Sequence, residues 1–139
     1  MVPSSRLVAR IDFLGTGNAF SPPGRMHALA LLDGSVLVDA PPTALVQLRR
    51  ADISPANLKH LMITHWHADH IFGFPFILLE RKYISDPESE NALGVHLRPS
   101  GRELLSDLCR TGFPGSLDDA LRDGVVWSES ETGELAGTD

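Results

Sequence analysis

The sequence predicts an α/β fold in which helices cover a sheet. From residue 35 onward, short apolar runs of strand character alternate with segments whose apolar residues recur at helical spacing. Ahead of that alternation, Asp33-Gly34-Ser35 separates the apolar runs Leu29–Leu32 and Val36–Val38, and an Asp-Gly pair in such a place marks a hairpin. With 139 residues, 42% of them hydrophobic, the chain fits one domain over 1–139 with material for a sizeable core.

The elements follow in order. Leu7 to Leu14 alternates partly and reads as a strand running into the turn Gly15-Thr16-Gly17-Asn18. Thr43 to Arg50 reads as a short helix after Pro41-Pro42, with Leu45 and Leu48 on one face. Ser54-Pro55 resembles an N-cap with proline at the first helical position, opening one turn. Lys59 to Thr64 reads as a strand buried on both faces. Phe72 to Tyr83 reads as a helix packed behind the histidine cluster of residues 65–70, and Ser85 to Asn91 as a polar loop. Leu93 to Leu97 is a strand. Ser100-Gly101-Arg102-Glu103 fits a capping box ahead of the stripe Leu104, Leu105, Leu108, and Gly112 closes that helix. Val125-Val126-Trp127 begins another strand, and 128–139 is a polar, acidic tail.

Composition narrows the function classes. The formal charge is −6, which argues against a broad basic surface for nucleic acid but leaves room for a local patch. Cys109 is the single cysteine, so no internal disulfide forms and a reducing cytoplasm is the expected compartment. The first residues lack the apolar core of a secretory signal. The longest apolar stretch, Ile71 to Leu79, is interrupted by Gly73 and Pro75 and falls far short of the ~20 residues that span a bilayer.

The chemistry is concentrated in His65-Trp66-His67-Ala68-Asp69-His70, three imidazoles and one carboxylate directly after the apolar run Leu61-Met62-Ile63 and Thr64. In near-extended chain, residues two apart point the same way. His65 and His67 can therefore grip one ion, while Asp69 and His70, after a turn, face a second. Imidazole nitrogen with carboxylate oxygen suits Zn2+, and also Mn2+ or Fe2+. Two ions about 3.5–4 Å apart can share a hydroxide that attacks the substrate, which Asp69 can orient as a catalytic group. Asp39, ending an apolar strand, is placed either to hydrogen-bond a ligand histidine from behind or to cap the strand end. Gly15-Thr16-Gly17 lacks the third glycine of a dinucleotide loop, since position 20 is Phe20, and no P-loop lysine follows. His27 and His60 read as surface and strand-start residues. Cys109 has no positioned base.

These residues resemble the metallo-β-lactamase superfamily, whose signature Thr-His-x-His-x-Asp-His stands here as Thr64 to His70. The opening Phe13-Leu14-Gly15-Thr16-Gly17, the continuation Ile71-Phe72-Gly73 and the segment Val95 to Gly101 resemble the ribonuclease Z branch. The resemblance runs from about Ile11 to Leu108. It implies an αββα sandwich with metals at the sheet edge. His65 and His67 would serve one metal, and Asp69 and His70 the other. The implied activity is phosphodiester hydrolysis, with RNA, including transfer RNA being processed, among the substrates.

Three departures go with it. The family adds a later histidine, a bridging aspartate and a last histidine, whereas here only His96 follows His70, within an apolar strand, and it reads as structural. The chain thus reads as the amino-terminal half of such a sandwich, incomplete at its C-terminus. Ala40-Pro41-Pro42-Thr43 replaces an acidic, glycine-containing turn after Asp39. The family's transfer-RNA-binding segment has no counterpart to judge. Two other readings fit the same residues. One is a metal-binding half-domain without turnover of its own that associates, as a homodimer or with a partner, through exposed sheet. The other is a thioester, lactone or β-lactam hydrolase of the same fold.

Overall fold

The computed structural model describes residues 9–135. Six strands form one sheet, and each lies beside its neighbours in sequence. β1 (Ile11–Gly15), β2 (Leu29–Leu32) and β3 (Val36–Val38) are antiparallel. β4 (His60–Met62), β5 (Leu93–Leu97) and β6 (Val125–Glu129) then run parallel to β3. The hairpin between β2 and β3 turns over Asp33, Gly34 and Ser35, with Asp33 and Gly34 both at positive φ (48° and 72°), which these residue types accept.

Parallel neighbours need crossover connections, and crossovers of one hand along one direction put every helix on the same face. That is the arrangement found. Register places Leu31, Leu37, Leu61, Val95 and Trp127 in one row across the sheet. Against this face pack α1 (Ala44–Arg50), α2 (Ala68–Ile71), α3 (Phe74–Glu80), α4 (Gly101–Gly112) and α5 (Asp118–Asp123), each contributing buried residues to one core cluster. The opposite rows are Ile11–Leu32–Val36–His60–Gly94–Val126 and Phe13–Ala30–Val38–Met62–His96–Ser128. Among the described residues no helix covers that face, and Ile11, Phe13 and Val126 are 56%, 73% and 61% exposed. The result is one αβ layer pair of the expected αββα sandwich. Among the described residues no helix is long and apolar enough to cross a membrane.

Several elements differ from the sequence expectation, each for a physical reason. In the first strand Leu7 and Val8 lie outside the described residues, and the pairing starts at Ile11. The strand expected over Lys59 to Thr64 shortens to His60–Met62. Ile63 N–H still pairs with the His96 carbonyl, but Thr64 N–H is taken by the Asp39 carboxylate instead of the ladder. The helix expected over Phe72 to Tyr83 begins only at Phe74, passes into a π-helical turn, Arg81–Ser85, and is preceded by the separate short α2, which the sequence did not announce. The break falls at Gly73, whose N–H bonds the Ala40 carbonyl at 2.8 Å and whose backbone presses on Pro41 so closely that a Cβ would strike that carbonyl. The capping box does not form: Ser100 sits at φ 78° without a side-chain cap bond, and Gly101 N–H returns to the Arg98 carbonyl. In that helix Leu105 and Cys109 are the buried pair, one turn apart, and Leu104 lies at the exposed margin. Helix α5 has no apolar periodicity to announce it beyond Leu117 and Leu121. β6 runs on through Ser128 and Glu129, into the stretch read as polar tail, because its whole length pairs with β5.

Candidate metal centre

The C-terminal ends of β3 and β4 lie side by side, so Asp39 and Thr64 emerge together at one edge of the sheet. Asp39 is buried at φ 71°, a backbone position that Asp tolerates better than most residues. Its N–H bonds the Met62 carbonyl at 2.7 Å, which directs the carboxylate at the loop after β4. There Oδ1 accepts from Thr64 N–H at 2.8 Å, and the Thr64 hydroxyl donates to Oδ2, also at 2.8 Å. Oδ2 further meets His70 Nδ1 at 2.7 Å. One buried carboxylate thus clamps both ends of the histidine segment.

The clamp sets the tautomers. A carboxylate only accepts, so His70 carries its proton on Nδ1 and turns the Nε2 lone pair outward. The Thr64 hydroxyl spends its proton on Asp39 and accepts from His65 Nδ1 at 2.9 Å. His65 then also presents Nε2 as a free lone pair. This is the arrangement by which groups behind a metal ligand orient it and raise its basicity.

The chain runs extended at His67 (φ −66°, ψ 145°), which caps the four-residue α2, and this short helix carries Asp69 and His70 back toward His65. The His65 ring lies 4.7 Å from that of His67 and 4.0 Å from that of His70, centroid to centroid. Asp39, His65 and His70 offer ligand atoms that all fall within 4.8 Å of one another. Asp69 Oδ2 stands 3.2 Å from His70 Nε2. With the proton on Nδ1, that contact sets two acceptors face to face, which a shared cation relieves. The donor set therefore fits a divalent ion. Of the residues singled out from sequence, His65 and His70 converge with Asp39, and Asp69 reaches this group at His70. His67 is exposed, with its ring edge-on to that of His65. Trp66 turns away from the cluster and packs against the core, its indole filling the space over Gly101.

The other candidates resolve into structure. The Gly15-Thr16-Gly17 turn meets the chain around residues 26 to 28. Gly17 N–H bonds the Met26 carbonyl, and a Cβ on Gly15 would strike the His27 carbonyl and the Gln47 amide. The buried Gln47 Nε2 holds the Leu14 and His27 carbonyls at 3.2 and 2.8 Å, a bridge that no sequence signal marked. His27 is half-buried, with Nε2 at 3.3 Å from the Ala19 carbonyl. His60 and His96 meet on the open sheet face, Nδ1 to Nε2 at 2.9 Å, with Gly94 leaving room for both rings. Burial, and then the charge of His60, hold His96 below the usual histidine range. Cys109 is fully buried, and burial pushes its thiol up to about 12.

A sequence model of a protein family described as Anti-Pycsar protein Apyc1 matches residues 9–102. The chain belongs to this family. Among curated proteins it is similar to the ribonuclease Z of Pyrobaculum islandicum, with 37% identity over 79 residues covering 54% of this chain and 28% of that protein. The ribonuclease Z of Aeropyrum pernix is 32% identical over 130 residues, covering 86% of this chain and 41% of that protein. Among solved structures, human tRNase Z, short form, superposes with a TM-score of 0.69 at 22% identity, over 88% of this chain and 45% of that one. The family member described here thus has the metallo-β-lactamase fold and stands in its ribonuclease Z-like branch. It spans less than half the length of the ribonuclease Z relatives it matches.

Proposed function

We propose that this protein is a metal-dependent hydrolase of phosphodiesters. The observation that carries the reading is the clamp of Asp39 on Thr64 and His70, which turns His65 and His70 Nε2 outward beside Asp69. In this reading His65 and His67 hold one ion, and Asp69 and His70 a second, with zinc the first choice and manganese or iron also suited to the donors. Divalent metal at such a site supplies Lewis acidity for phosphate oxygens and acidifies water from ~15.7 toward ~7. The chain's own part is orientation. Asp39 and Thr64 keep two imidazoles in the ligating tautomer, and Asp69 accepts a hydrogen bond from the attacking water. Hydrolysis adds water across one P–O bond, leaving a phosphomonoester and an alcohol. Relatives named ribonuclease Z make RNA the first substrate class to try.

The open sheet face favours a second reading, in which metal binds here but turnover needs a partner, a second copy included, to cover Ile11, Phe13 and Val126 and to add ligands. One experiment addresses both. Metal content is measured after zinc or manganese loading, and turnover of bis(p-nitrophenyl) phosphate is followed alongside the mass of the particle in solution, with His67→Ala as control. The first reading expects bound metal and a turnover that His67→Ala lowers by a hundredfold or more. Bound metal without turnover favours the second. Equal turnover by His67→Ala, or no metal retained, refutes the assignment.

A further inference from the structure

We propose that Arg98, held over the face of Trp66, and the cleft it lines form a binding site for a phosphate group of the substrate. The inference rests on the phosphodiester reading and names a residue that holds the substrate. β5 is parallel to β4 with Met62 opposite His96, and Ile63 N–H bonds the His96 carbonyl at 2.9 Å. Arg98 therefore leaves the sheet at the same edge, one strand over from Thr64 and His65. Trp66, between two of the histidines, lies over Gly101, where any Cβ would collide with the indole. The Arg98 guanidinium carbon is 5.8 Å from the Trp66 ring centroid.

Arg98 is exposed, and among the described residues no carboxylate pairs with it, although the chain carries 18 acidic residues against 12 basic ones. An aromatic face attracts a guanidinium within about 6 Å of its centroid, and the planar fork of that guanidinium matches two phosphate oxygens. Arg98 lines a cleft of about 480 Å³, within the size range of small-ligand pockets. Ser128 and Thr132 line it together with Arg98 and supply hydroxyls, and the Glu131 carboxylate lines it as well. Thr64 is also the residue that bonds Asp39 and His65, so the cleft, on the open face of the sheet, shares that one residue with the metal-ligand cluster. Ser128 follows from the register, opposite His96 on β6.

The test uses the full chain loaded with zinc and inorganic phosphate as the probe, with binding measured by calorimetry and turnover of bis(p-nitrophenyl) phosphate measured in parallel. Arg98→Gln is expected to weaken phosphate binding by ten- to a hundredfold, the range for losing hydrogen bonds to a charged partner. It should raise KM by a similar factor with metal content unchanged, and Arg98→Lys should recover part of the loss. Unchanged phosphate binding in Arg98→Gln overturns the proposal while leaving the hydrolase reading in place, as does absence of phosphate binding by the wild-type chain when that chain still turns over diester. Phosphate binding that depends on Arg98 in a protein without turnover supports the site and removes the hydrolase reading.

Discussion

Replacing Asp39 by asparagine tests the clamp most directly. Asparagine is isosteric and tolerates the φ of 71° at this position, so the backbone has no cause to move. Its carbonyl oxygen can still accept from Thr64 N–H. Its amide nitrogen, however, would face the Thr64 hydroxyl or His70 Nδ1, where the native carboxylate accepts at 2.8 and 2.7 Å. Hydrogen bonds to a charged group contribute about 1.5–3 kcal/mol each. Thr64 is exposed and His70 half-buried, so water replaces part of the loss. We expect the metal-free variant to lose about 2 kcal/mol of stability in urea unfolding. With His70 released from its tautomer, zinc affinity should fall 10- to 100-fold in competition with a chromophoric chelator. The two effects are linked. At free zinc of a hundred times the wild-type Kd the ion stabilises the fold by about 2.7 kcal/mol, and at the same concentration a tenfold weaker site gives about 1.4 kcal/mol. If Asp39→Asn behaves like wild type in both the metal-free unfolding midpoint and the zinc-induced shift, the reasoning is refuted, because the carboxylate charge then does not hold the ligands.

Further expectations concern the frame around the site. Gly73→Ala drives a Cβ into the Pro41 and Ala40 carbonyls, which are backbone and cannot rotate away. It should cost about 1–3 kcal/mol, the range for overpacking, and should weaken zinc binding as well, since residues 40 and 73 bracket His70; a calorimetric Tm unchanged from wild type would contradict this. Cys109, with its thiol pushed up to about 12 by burial, should resist a disulfide reagent at pH 8 until the chain unfolds and then react once. The folded thiol titrates above the ordinary value of 9, so the neutral form favours the fold. Stability should decline as pH rises from about 9 through 12, and Cys109→Ala should flatten that decline in alkaline unfolding curves.

Much of the fold was legible locally. The Asp33-Gly34 pair sufficed for the hairpin because only certain residues accept two successive positive φ values. Leu93–Leu97 was readable to the residue, since an apolar run buried on the helix side and bounded by polar residues has one good home. Other boundaries were not legible because their causes lie far away in sequence. Gly73 breaks a helix through the carbonyls of residues 40 and 41, and Thr64 leaves the ladder for a carboxylate 25 residues earlier. Ser100 looks like a cap in sequence, but the turn from Arg98 to Gly101 places it at positive φ, where its hydroxyl makes no cap bond.

For the candidate site, the six positions from His65 to His70 carry the ligand-type side chains the sequence offers, because so dense a set after a buried strand has little other chemical use. Sequence also put Asp39 at a strand end, where bonding a ligand histidine and capping the strand were equal options. Tertiary structure decided what each donor does. Parallel pairing of β3 with β4 brings Asp39 beside Thr64, and the turn into α2 returns His70 to the same carboxylate. Arg98 and Trp66 meet for the same reason, one strand further along. A local pattern can specify which atoms are available, but which nitrogen faces outward is set by hydrogen-bond partners that only the assembled sheet brings within reach.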